Sequence, residues 1–109
     1  MKVVIVRPDE QAYIRDIPAT LEAYHTIVGG YIECTFPFKD RVCLVCNEDG
    51  KLLNLPPNRT ITIGRRDDVI AGTFFICGMG DEDFESLTDA QAKKYRDRFL
   101  LPEFGIICD

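Results

Sequence analysis

The sequence has a single histidine, no long apolar run and no surplus of basic residues. Each of these shortages excludes something. A bilayer-spanning helix needs roughly 20 consecutive apolar residues, and the apolar runs here extend over only a few positions, so no membrane partner is expected. Lys and Arg number 13 against 18 Asp and Glu, a net charge of −5. A surface that tracks nucleic-acid phosphates needs an excess of cations, so general nucleic-acid binding is not expected either. The opening stretch Met1–Arg7 has too short an apolar core for a secretory signal, which points to a cytoplasmic protein. No G-x-S-x-G, P-loop or dinucleotide fingerprint is found, and Gly78-Met79-Gly80 lacks the third glycine and the helix start of a phosphate turn. No cofactor is expected.

Cysteine is present but in an unhelpful arrangement. Cys34, Cys43, Cys46, Cys77 and Cys108 are an odd number without a secretory signal, a poor fit to a disulfide framework. Cys43 and Cys46 form a C-x-x-C, yet the surrounding Arg41–Cys46 reads as an uninterrupted strand. Residues three apart on a strand point to opposite faces. There is no second C-x-x-C, and His25 alone does not complete a tetrahedral site. The cysteines read as small buried apolar residues, with no metal.

The chain's 109 residues, 46% hydrophobic and 28% charged, make one globular domain spanning 1–109. Lys2–Arg7 is apolar on both faces, as in an interior strand. Gln11–Ile17 reads as a second strand, ended by Pro18. Thr20 is a plausible N-cap for a short helix whose Leu21, Tyr24, His25 and Val28 share a face, with Gly29-Gly30 as its stop. Tyr31–Phe36 and Val42–Cys46 read as strands, followed by a turn at Asn47–Gly50 and a returning hairpin arm at Lys51–Leu53. Two prolines in Leu55–Arg59 interrupt any ladder. A short strand at Thr60–Ile63, a charged loop at Gly64–Asp68 and a long buried strand at Val69–Cys77 come next, with Gly72 marking a bulge or the close passage of another element. After a loop at Gly78–Glu85, Thr88 with Gln91 is a capping box, and Leu87 with Ala92 is a hydrophobic staple. Ile106–Cys108 reads as a final edge strand. The fold class is α+β: a mostly antiparallel sheet or partly closed barrel with two helices packed against it.

Several segments carry a likeness. Gly29–Glu33, the string Asn47-Glu48-Asp49-Gly50-Lys51-Leu52, Leu55-Pro56-Pro57-Asn58-Arg59 and Asp68–Thr73, with the helix start at Ser86–Asp89, resemble the family catalogued as DUF3846 over nearly the whole chain. The cysteines of the strands, Cys34, Cys43 and Cys46, are not part of that pattern. The resemblance implies a small protein carried by phages, plasmids and conjugative elements of bacteria. It implies no activity and no site residue.

The residues themselves suggest three functions. In the first, the rigid Leu-Pro-Pro segment presents Asn58 and Arg59, and with Asn47, Arg65 and Arg66 they form a candidate ligand-binding set, guanidinium forks being suited to phosphate or carboxylate. The alternative for Arg65 and Arg66 is surface pairing with Asp67 and Asp68. This gives a non-enzymatic binding module for a host protein or a small anionic molecule. In the second, Asn47, Glu48 and Arg59 serve a small hydrolase or transferase, which needs Glu48 inside a concave pocket. In the third, exposed Phe36, Phe38 and Phe104 make a homo-oligomer contact. The run Asp81–Glu85 reads as a solvated loop, since its spacing is no EF-hand. No catalytic residue is assigned, and His25 reads as structural.

Overall fold

The computed structural model describes residues 1–104. The strand expected at 106–108 lies outside the described residues, as does Cys108. Strand β1 (Lys2–Val6) pairs with β2 (Tyr13–Asp16) on one side. On its other side β1 pairs with β7 (Phe74–Met79), which pairs in turn with β4 (Val42–Asn47), and β4 with β3 (Ile32–Thr35). The short β8 (Phe84–Glu85), within the stretch expected to be a loop, extends the sheet from the end of β7. Every pairing is antiparallel, and the sheet runs β2-β1-β7-β4-β3 without closing into a barrel. The alternation of side chains sends Val3, Ile5, Cys43, Val45, Phe75 and Cys77 to one face, where Tyr24 and Val28 of helix α1 (Leu21–Val28) cover them. Val4, Val6, Val42, Leu44, Cys46, Phe74 and Ile76 go to the other face, under Ala92, Tyr95 and Phe99 at helix α2 (Asp89–Arg98) and Ile61 and Ile70 of a separate hairpin. That hairpin joins β5 (Pro57–Ile63) to β6 (Arg66–Ala71). Cys43 and Cys46 thus lie in different cores, as strand alternation requires.

The helix ends follow the sequence signals. Thr20 Oγ1 accepts from the Ala23 amide at 3.2 Å, and Gly29 takes the left-handed conformation at φ 77°. Thr88 and Gln91 form both bonds of the capping box. Several expectations need correction. Strand β5 starts at Pro57, which pairs with Ala71 within the segment expected to interrupt any ladder, and β6 starts at Arg66, inside the expected loop Gly64–Asp68. Lys51–Leu53 is not a hairpin arm: the Asp49 amide donates to Asn47 Oδ1 at 2.8 Å, and Leu53 N donates to Asp49 O at 2.9 Å, so the chain coils through consecutive turns instead of extending. Val69–Cys77 is two strands. Gly72, at φ +86°, divides them because Leu55 crosses so close that a Cβ there would meet Leu55 Cδ1 at 2.7 Å. Phe38 is not exposed beside Phe36 and Phe104 but packs on Tyr95 and Phe99, with ring centroids 4.8 and 6.0 Å away.

Candidate functional site

The Asn-Arg end of the Leu-Pro-Pro-Asn-Arg segment points inward, while Pro56 and Pro57 stay exposed. After the bulge between Pro57 and Arg59, Arg59 and Ile61 occupy the same inward face of β5, and Asn58 and Arg59 are both fully buried. Asn58 Nδ2 donates to Val6 O at 2.9 Å and to Gly72 O at 2.8 Å, tying the end of β1 to the glycine between β6 and β7. Its Oδ1 accepts from Arg59 Nη1 at 2.9 Å. The guanidinium then reaches four backbone carbonyls. Nε and Nη2 donate to Phe99 O at 3.2 and 2.9 Å, Nη2 to Glu10 O at 2.7 Å, and Nη1 to Arg7 O and Pro8 O, each at 3.3 Å. Phe99 is the C-cap of α2, where the helix dipole concentrates negative charge and favours a cation. Burial lowers the Arg59 pKa from its ordinary value, opposed by the nearby Glu103 carboxylate; an arginine remains charged under such a shift. With every donor engaged, Arg59 has none left for an anion.

Those contacts shape a groove of about 780 Å³. One wall is the Arg7–Glu10 turn held by Arg59. The arm Leu55-Pro56-Pro57 and Gly72-Thr73, held by Asn58, also line the groove. Ile27, Val28 and Gly29 at the end of α1, and Pro102 and Phe104, complete the lining. The lining is mainly apolar. Its charges are Arg7, Asp9 and Glu10, and Arg7 is already bonded to Tyr13 Oη at 3.3 Å.

The remaining candidates are elsewhere. Asn47 is buried, with Nδ2 donating to Val28 O at 3.1 Å, and so secures the end of α1. Glu48 is exposed in the turn, with its amide on Tyr31 O at 2.9 Å. Asn47 and Glu48 line a small pocket of about 160 Å³ that does not include Arg59, whose donors go to the backbone and Asn58 instead, so the three are not brought to one site. Arg65 and Arg66 are exposed at the β5–β6 turn. Since Arg59 pairs with Ile70 and Ile63 with Arg66, they lie roughly 13 Å along the strand from Arg59, at about 3.3 Å per residue. Nor do they pair with the neighbouring aspartates: Asp68 takes Lys51 and Asp67 accepts from Thr62 Oγ1. In the acidic run, Asp81 pairs with Arg41 at 2.9 Å. Among the described residues no cluster of three or more His, Cys, Asp or Glu side chains is placed to hold a metal. His25 is half-buried and stacks edge-on against Tyr31. Among the described residues no helix is long and apolar enough to cross a membrane.

Part of the groove, at Gly29, Leu55-Pro56-Pro57 and Gly72-Thr73, comes from segments that carried the likeness, and the family described as a domain of unknown function, DUF3846, matches residues 1–100. The chain belongs to the DUF3846 family. No curated protein and no solved structure is detectably similar to it. In this DUF3846 protein, Gly29, Leu55-Pro56-Pro57 and Gly72-Thr73 come together at the groove, with Asn58 and Arg59 directly behind it. Sequence reasoning missed the groove walls at Arg7–Glu10 and Ile27–Val28. The signal that was readable is the period-2 step from Arg59 to Ile61, which turns the arginine inward once β5 is begun before Thr60.

Proposed function

We propose that this protein is a non-enzymatic binding module that receives an apolar segment of a partner protein in the groove beside the Leu-Pro-Pro arm. One observation carries the reading: a mainly apolar groove whose walls, drawn from distant parts of the chain, are fixed from behind by the buried Asn58–Arg59 pair. Walls fixed in advance lose little entropy on binding. Two carboxylates and one guanidinium at the lining suit an uncharged or weakly basic segment better than a small anion. The setting belongs to the same proposal: an accessory protein of a phage, plasmid or conjugative element, acting in the cytoplasm on a host protein, including one used in defence.

The test is a random peptide library displayed on phage and selected on the purified protein. Enriched peptides are then measured by fluorescence anisotropy against Pro56→Asp and Phe104→Ala, both at exposed groove positions. The proposal expects apolar anchors in the enriched peptides and at least about a ten-fold loss of affinity, roughly 1.4 kcal/mol, with unchanged melting. Peptides that bind the variants equally well, or no enrichment at all, overturn it. Stabilisation by phosphate or nucleotides without peptide binding moves the assignment to an anion.

A further inference from the structure

The described residues end in the groove beside the Leu-Pro-Pro arm. Beyond α2 the chain is held twice on its way there. Leu100 O accepts from the Ala12 amide at 3.3 Å, and the two oxygens of the Glu103 carboxylate accept from the Thr60 amide at 3.1 and 3.0 Å. Pro102 and Phe104 then line the groove together with Leu55, Pro56 and Pro57. The sequence continues past Phe104 as Gly105-Ile106-Ile107-Cys108-Asp109. Five extended residues reach up to roughly 17 Å, about twice the edge of a cube of the groove's 780 Å³. The free edge of β5 is a poorer place for them, because a strand added there needs the Thr60 amide that Glu103 already occupies.

We infer that residues 105–109 are an internal occupant of this groove, with Ile106 and Ile107 supplying the apolar side chains, and that they compete there with the partner's segment. The inference rests on the reading of the groove as a receptor for apolar segments. Chemistry and placement agree. The lining is mainly apolar, and Ile106-Ile107 is a pair of large aliphatic residues within a few positions of Phe104. A segment tethered beside its site has an effective concentration in about the millimolar range, so contacts too weak to hold a free peptide suffice to hold this one. Gly105 lets the chain turn with either hand after Phe104. A partner must then displace the segment, and its apparent affinity falls by the fraction of time the groove stands open.

NMR on the methyl-labelled full chain tests this. The expected result is nuclear Overhauser contacts from the Ile106 or Ile107 methyls to those of Ile27, Val28 or Leu55. A synthetic peptide of residues 105–109 should shift the Ile27 and Leu55 methyls of the double variant Ile106→Asp/Ile107→Asp and leave those of the intact chain in place. Library-selected groove peptides should bind that variant at least about ten-fold more tightly, as removing an occupant present about nine-tenths of the time gives. Absence of the contacts in the intact chain overturns the inference. So does equal binding of the selected peptides to both proteins, an outcome that leaves the partner reading standing. Contacts in the intact chain, with no library peptide bound by either protein, support the internal occupant and count against the partner reading alone.

Discussion

At position 59 a fully buried guanidinium has no carboxylate bonded to it among the described residues; four main-chain carbonyls and the Asn58 amide oxygen surround it instead. Removing it would orphan all of these acceptors and open a cavity. Arg59→Ala should therefore lower stability by at least about 3 kcal/mol, and Arg59→Lys, with fewer donors in the wrong geometry, by less but still measurably. Urea unfolding midpoints give both values. The thiols make a second residue-scale prediction. Burial pushes Cys46, and the half-buried Cys34, up to about 12. Contact with Cys77 and burial raise Cys43 further. The folded state holds these protons, whereas unfolded thiols release theirs from about pH 8.5. Stability is thus complete below that pH and declines above it, by up to about 1.4 kcal/mol per pH unit for each fully buried thiol. Unfolding midpoints at pH 7.5 and 10 check this, with a lower midpoint expected at pH 10.

Among the elements, the coil between β4 and β5 is fixed by a close approach to β6. A Cβ on Gly50 would lie 2.6 Å from Ala71 O, a backbone atom with little room to move. Gly50→Ala should cost about 1–3 kcal/mol, read as a drop in melting temperature, although alanine is otherwise benign in a turn. Local signals were readable in the sequence: both helix starts, the Gly29 stop, the interior character of β1 and the opposed faces of Cys43 and Cys46 depend on neighbours within a few residues. The start of β5 was not readable. Whether Arg59 points in or out depends on carbonyls at positions 7, 8, 10 and 99, and a linear reading of Leu55–Arg59 contains none of them. The close passage at Gly72 was readable from the glycine itself, but not that it splits the apolar run into two strands or that the crossing residue is Leu55, 17 positions away. The groove combined both difficulties, since its walls come together only after the sheet is in place.

For the molecule as a whole, the sheet is assembled out of chain order. Val4 pairs with Ile76, and the Leu87 amide donates to Lys2 O at 2.9 Å, so the first strand is secured by the last third of the chain. Contacts of that separation close large loops before they return any energy, and refolding should run on the millisecond-to-second scale. Stopped-flow tyrosine fluorescence would measure it, and a microsecond phase carrying the full amplitude would contradict this topology. A protein made from its N-terminus feels the same constraint during synthesis. The strand between β1 and β4 is the seventh to emerge, so until Met79 has left the ribosome those two strands lack their shared neighbour and their apolar faces have no complete core. The nascent chain is then an open sheet in two pieces, and the cell's folding machinery would meet it in that form.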